Sequence, residues 1–487
     1  MTVTRRRLAG TVLFVVVLAL VAPAGAATPG GPKLVTVSGR SPFPDGCGVD
    51  NSFFGEGFQN AETEPTLAVN PKNPRNIVAA WMQDASASYV VGTSFDGGAT
   101  WRTVTVPGIS VCTGGDARAA ADPWLSFGPD GTLYLSGFSA WLDAPGPPLP
   151  TRFRLQVSTS RDGGRTWSDP VEVIGGAVTF HDKPTIKAHP TVAGTAYVVW
   201  QESALVLSPP GPNIFMSRTT DGGATWSPPL PVPAQTVPAG FGSGAEVEVM
   251  PDGSLVVMST LVRVYPMSHT IVAVRSEDGG TTWSAPSIVA EIPASNYPSM
   301  PGDCRDPFRP YRDEESGRCV YAPEPLATAD TGSDGSVYVV WRHGVPGSPG
   351  EIRMSRSTDG ARTWSDPVTA SPAGGESFTP MIAAGRAGWV AVTYYGFRRD
   401  RAGDKVLSGD LWMARSRNGG RTWRHAHVAG PFDWRTSPLR LIPAEGLWLA
   451  DYHGLVAVRG GYVSTFSVAK PMARTGRVDL LFTRLAG

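Results

Sequence analysis

The chain has 487 residues, and its 42 basic and 42 acidic side chains leave a formal net charge of zero, which excludes a strongly charged partner such as nucleic acid. Gly (57) and Pro (45) are abundant, yet hydrophobic residues make up 41% and there are 15 Trp. That composition excludes disorder and fits a turn-rich all-β protein.

In chain order, the first feature is an export signal over residues 1–26. Arg5-Arg6-Arg7 is its basic part, Leu8 to Val21 its apolar part, and Ala24-Gly25-Ala26 its cleavage site. The apolar run is too short for a membrane anchor, and no second run of membrane length follows. The expected product is secreted, with no membrane span. Four Cys in an exported chain favour two disulfides. Three pairings exist. The preferred one joins Cys304 to Cys319, closing a Pro- and Arg-rich excursion at 295–325, and Cys47 to Cys112. Residues 27–60 form an N-terminal segment that contains one β-prone stretch, Lys33–Ser38.

From residue 61 to 487 one unit repeats. An eight-residue phrase marks it: SFDGGATW at 94–101, SRDGGRTW at 160–167, TTDGGATW at 219–226, SEDGGTTW at 276–283, STDGARTW at 357–364 and SRNGGRTW at 416–423. The closing Trp residues lie 66, 59, 57, 81 and 59 residues apart, the period of a repeated supersecondary unit. The Asp-Gly-Gly core supplies the positive φ of a tight turn, and the carboxylate can accept from the turn's own amides. Ahead of each phrase lie a short strand with an acidic or Pro-containing start, a turn, and a β-prone second strand such as IVAAW, TAYVVW or SVYVVW. A third strand leads into the phrase and a fourth starts at its Trp. Four antiparallel strands in sequence make one propeller blade.

Second strands number seven. The last, Gly461–Val468, precedes a third strand at Val478–Thr483 and no phrase follows it. Lys33–Ser38 can supply the missing fourth strand and close the ring. The expected fold is all-β, a seven-bladed propeller. The alternative has six blades, with 449–487 as an appended hairpin.

The meander puts the starts of first strands and the ends of second strands on one face, around the central channel. Carboxylates start the first strands: Glu64, Asp122, Asp182, Glu246 and Asp451. Such like charges raise one another's pKa unless a cation, an Arg or a shared proton intervenes. One reading is a cation site on Glu64, Asp122, Asp182 and Asp451, where all-oxygen ligands would suit Ca²⁺ or Mg²⁺. Others are an acid/base set, or caps on loop amides. Seven residues after Asn76, Gly131, Gly194, Gly253, Gly335 and Gly388 come Gln83, Phe138, Gln201, Thr260, Arg342 and Tyr395. Beside them stand Trp200, Trp341 and Tyr394. This rim suits sugar binding, with packing between blades as the other reading of each aromatic.

The phrase is the Asp box, S-x-D-x-G-x-T-W, also called the BNR repeat. With six copies the chain resembles the sialidase superfamily of β-propellers over about 61–487. In that family the boxes lie away from the active site. The resemblance implies an exo-α-sialidase-like glycoside hydrolase that takes a glycan and requires no cofactor. Sialidases bind the substrate carboxylate with three Arg, use a Tyr nucleophile activated by a Glu, and employ an Asp as acid/base. Here Tyr395 or Tyr394 resembles the nucleophile, Glu246 its partner, Asp84 the acid/base and Arg342 the second Arg. Where the family's first Arg belongs, the chain reads Thr63-Glu64-Pro65-Thr66, and an acid there would repel a substrate carboxylate. Arg263, Arg309, Arg312 and Arg398 could add positive charge from loops. The alternatives are a non-catalytic glycan- or protein-binding propeller, and a hydrolase or lyase acting on an uncharged or cationic substrate with two carboxylates. A closed propeller needs no partner for stability, so a monomer is expected.

Overall fold

The computed structural model describes residues 31–47, 59–84, 86–141, 152–177, 179–204, 213–233, 240–264, 267–292, 311–313, 316–321, 326–344, 349–401, 403, 405–440 and 446–487. The export signal, Cys304 and Arg309 lie outside them. Seven four-stranded antiparallel sheets follow one another along the chain. Blade 1 comprises Glu62–Val69, Ile77–Gln83, Ser88–Ser94 and Arg102–Thr105; blade 2, Ala119–Phe127, Leu133–Trp141, Arg152–Ser160 and Val171–Ala177. Blade 3 comprises Thr179–Ala188, Ala196–Ala204, Ile214–Thr219 and Leu230–Pro231; blade 4, Gly240–Val249, Leu255–Val264, Met267–Ser276 and Ser287–Ile292. Blade 5 comprises Thr328–Thr331, Val337–His343, Glu351–Ser357 and Val368–Thr369; blade 6, Ser377–Ala384, Val390–Gly396, Ser408–Ser416 and Arg424–Asp433.

Blade 7 has Gly454–Val458, Gly461–Ala469 and Val478–Ala486, and its outermost strand is Leu34–Thr36, in register Leu34 with Thr483. The N-terminal segment thus closes the ring, and the six-bladed alternative falls. First strands of successive blades pack on one another all the way round, blade 7 on blade 1 included, so they line a central channel. Both faces of a second strand are covered by neighbouring blades. Ile77–Gln83, Leu133–Trp141 and Val390–Gly396 are therefore buried at every position.

The Asp boxes act as the sequence pattern predicts. In the first, Asp96 Oδ1 accepts from Ala99 N and Thr100 N, its Oδ2 accepts from the Thr100 hydroxyl at 2.6 Å, and Gly98 N donates to Ser94 Oγ. Each box then docks on the third strand of the preceding blade. Arg484 donates to Gly97 O, Thr93 to Gly163 O, Arg218 to Gly279 O and Arg275 to Gly360 O. The boxes are inter-blade fasteners, which explains their number and their distance from the channel mouth.

Cys47 and Cys112 form a disulfide that ties the N-terminal segment to blade 1's outer loop. Cys319 is also disulfide-bonded. The 295–325 excursion contributes Tyr311–Arg312 and Cys319–Val320 to a small extra sheet with Leu439–Arg440 and Gly446–Leu447, in which Val320 and Leu447 pair in parallel. Arg435 clamps Asp313 there through two bonds of 2.6 and 2.7 Å. Tyr321 and Trp448, which leave this sheet, pack with Met82, Phe138 and Phe153 of blades 1 and 2. Connections from blades 4–5 and 6–7 therefore cross the channel mouth.

Candidate functional site

Five first strands break register at the channel mouth. Pairing skips two residues between Thr63 and Thr66, Ala121 and Trp124, Asp182 and Thr185, Ser243 and Glu246, and Phe378 and Met381. The first skipped residue is Glu64, Asp122, Lys183, Gly244 or Thr379, each at positive φ between 48° and 56°. In four of the five the next residue is Pro, which has no amide proton to lose from the ladder. Four non-Gly residues held in left-handed backbone store strain of the kind that clusters at functional sites.

This register corrects the expected ring of acids. Glu64 and Asp122 hold equivalent positions, but blade 3 contributes Lys183 instead of Asp182, and blade 4 contributes Gly244. Glu246 stands two residues further along its strand. The ring therefore carries its own cation. Lys183 Nζ lies 2.5 Å from Asp451 Oδ2, and Trp448 Nε1 holds Asp451 Oδ1 at 2.8 Å. Asp122 Oδ2 accepts from Lys183 N at 3.0 Å. Burial works against the ammonium, but Asp451, Asp122, Asp182 and Glu64 overcome it and hold Lys183 above its ordinary pKa. Glu64 is 1% exposed, and its Oε2 is buried without a hydrogen-bond partner. Burial first, then the charges of Asp122 and Asp451, push its carboxyl well up. Among the described residues no group of three or more His, Cys, Asp or Glu side chains is arranged to hold a metal ion. The cation expected on Glu64, Asp122, Asp182 and Asp451 has a counterpart in the Lys183 ammonium.

A small, partly open pocket lies against this network. Its polar lining is Asp122, Lys183, Thr185, Glu246, Thr328 and Tyr452; Trp124, Pro184, Ala245 and Leu326 form apolar wall. Trp124 meets Tyr452 edge-to-face at 5.1 Å. The Tyr452 hydroxyl donates to Pro123 O at 3.4 Å. Burial and three neighbouring carboxyls keep it a neutral phenol. Glu246 Oε2 accepts from Ala329 N at 2.5 Å. Burial, then Glu248, raise its pKa to about 8, so the group is an acid at neutral pH. Glu248 sits further along the same strand, with Lys187 Nζ 2.7 Å from its Oε1 and 3.6 Å from Asp330 Oδ1.

The other expected site residues lie elsewhere. Tyr395 is fully buried, donates to Ser467 O at 2.9 Å, and is packed by Phe378, Phe432, Trp434 and His453. Burial drives its pKa far above the ordinary phenol value. It is a core residue between blades 6 and 7 and does not meet Glu246. Trp200, Trp341 and Tyr394 are at most 1% exposed and pack between blades, which leaves no ring face for a sugar. Arg342 Nε pairs with Glu376 at 2.8 Å, both side chains nearly buried. Asp84 accepts from Asn60 N, Gln83 Nε2 and Ser41 Oγ, which anchors the N-terminal segment. Gln83 bridges Trp81, Glu62 and Asp84. In register Met82, not Gln83, matches Phe138, Gln201, Thr260 and Tyr395. Gln201 links blades 3 and 4 by donating to Asp182 Oδ2 and accepting from Gly244 N. Arg398 donates to carbonyls at 372–374, and Arg263 and Arg312 are exposed. Sequence reasoning missed Lys183, Trp124 and Tyr452. Alignment on the repeated X-Pro step (Glu64-Pro65, Asp122-Pro123, Lys183-Pro184, Thr379-Pro380) would have found the lysine.

A family model for a BNR repeat-like domain matches residues 77–303. The chain is 32% identical over 190 residues to a sialidase of Micromonospora viridifaciens, an alignment that covers 34% of this chain and 28% of the sialidase. The chain thus spans little more than a quarter of that relative. Similar solved structures include a Dyadobacter fermentans protein of unknown function (13% identity, TM-score 0.46, 93% of this chain and 99% of that one). They also include a Penicillium chrysogenum α-L-arabinanase complexed with arabinobiose (15%, 0.46, 75% and 94%) and a Hadza microbial sialidase (16%, 0.42, 70% and 66%).

Proposed function

We propose that this sialidase-like BNR-repeat propeller is a glycoside hydrolase acting on terminal sugars of glycans, with the channel-mouth cavity as its catalytic site. The observation that carries this reading is that two carboxyl groups from different blades, Asp122 and Glu246, line one cavity, and Glu246 stays protonated at neutral pH. Glycoside cleavage needs an acid to protonate the leaving oxygen and a second carboxyl as nucleophile or base. Glu246 fills the first role. Asp122, held by the Lys183 amide, fills the second. Trp124 offers an aromatic wall for the C–H face of a sugar ring, and the neutral Tyr452 hydroxyl can bond a sugar hydroxyl.

The test is hydrolysis of fluorogenic α-sialosides and neutral glycosides by the purified protein. Glu246→Gln and Asp122→Asn each lower turnover by ~100-fold or more, the scale of removing a positioned proton-transfer group. Full activity in both variants would refute the assignment. A binding propeller without turnover is the second reading. It is favoured by the closed ion network in which Lys183 already holds the mouth carboxylates. The proposal includes export, supported by the Cys47–Cys112 disulfide, which suits an oxidising compartment. N-terminal sequencing of protein from culture supernatant tests cleavage after Ala26.

A further inference from the structure

The charge pattern of the cavity selects its substrate. Lys183 is the cation among the described lining residues, and its ammonium pairs with Asp451. Asp451, 0% exposed at its side chain, sits on the ammonium at 2.5 Å and is itself fixed by the Trp448 indole in the segment that crosses the channel mouth. Four acids (Asp451, Asp122, Asp182 and Glu64) surround that one ammonium. Asp122 and Glu246 complete the polar wall, and none of the described lining residues is an arginine. A carboxylate brought into this space would meet acids and would have to share the Lys183 ammonium with Asp451. Hydroxyl groups face no such obstacle. The carboxyl oxygens, the Tyr452 hydroxyl and the Trp124 ring are all suited to an uncharged sugar.

We propose that the cavity takes a neutral sugar, not an acidic one, and that Asp451 enforces this choice by offsetting the Lys183 charge that a ligand carboxylate would need. The inference rests on the same cavity as the hydrolase reading, but it concerns binding and needs no turnover.

The experiment is equilibrium binding to the purified full chain, by titration calorimetry or saturation-transfer NMR. The probes are L-arabinose, D-galactose and L-fucose against N-acetylneuraminic acid, in wild type and in Asp451→Asn. Expected for wild type is a preference of ~10-fold or more for at least one neutral sugar over the acid, and for Asp451→Asn a ~10-fold narrowing of that gap as Lys183 is released. Equal or tighter binding of N-acetylneuraminic acid by wild type overturns the proposal, as does failure of every neutral sugar to bind. The wild-type ranking stands alone if Asp451→Asn fails to fold. A protein that binds neutral sugars and cleaves none keeps this inference and loses the hydrolase. One that cleaves sialosides keeps the hydrolase and loses this inference.

Discussion

Replacing Glu248 by Gln should make Glu246 a stronger acid. The two side chains lie two residues apart on the channel-lining strand Gly240–Val249, so the pleat points both the same way. At a spacing of about 6.6 Å and an effective dielectric of ~20, two unit charges interact by ~2.5 kcal/mol, nearly two pK units. Burial is the larger cause of the Glu246 shift and stays in the variant. Lys187, now bonded to Glu248 at 2.7 Å, loses that partner and acts more strongly on Glu246, which lowers its pKa further. Asp330, Asp122 and Lys183 also face this region and are unchanged. The Glu246 pKa, about 8 in the native protein, should therefore fall by ~1–2 units. Carbon NMR of protein labelled at the Glu carboxyl carbon, assigned with Glu246→Gln, measures this directly. The alkaline limb of the rate profile should move toward acid by the same amount. A Glu246 resonance that titrates unchanged, or at higher pH, would refute the electrostatic link and leave burial as the sole cause.

Three further outcomes follow from the geometry. The Glu246 pKa is raised from 4.5 to about 8, so its contribution to stability is full below pH 4.5 and is lost as pH rises toward 8. The stability advantage of Glu246→Gln over wild type in urea melts should thus grow across that window, by at most ~5 kcal/mol; a constant offset would contradict the shift. Tyr395→Phe orphans the Ser467 carbonyl and should cost ~1 kcal/mol of stability while leaving turnover unchanged, since the hydroxyl faces the core; lost turnover at full stability would return Tyr395 to the active site. Gly98→Ala places a Cβ 2.1 Å from the Phe482 ring at φ 89°, and should lower stability by ~2 kcal/mol or more, read as a fall in urea midpoint.

The architecture was legible because its signals are local. A box spells out its own turn: Ser94, Asp96, Gly98 and Thr100 bond one another, so eight consecutive residues suffice to recognise it. Ring closure was legible for a similar reason, since a seventh unit without a fourth strand and a lone β-prone stretch near the N-terminus complement each other. The site was less legible because it depends on which way each side chain points, and one extra residue reverses that. A bulge at the start of the blade 3 first strand moved Lys183 into the ring in place of Asp182, which sets an ammonium among the expected anions. The aromatic residues failed for a different reason. Trp200, Trp341 and Tyr394 share one register position, and a regular position in a repeat fold is where blade packs on blade. The aromatics that line the cavity, half-buried Trp124 and buried Tyr452, sit beside a strand bulge and just before the strand Gly454–Val458. At the bulge position the blades differ in side chain, Glu64, Asp122, Lys183, Gly244 and Thr379, although they share the backbone. Equivalent positions across blades are the ones that close the ring.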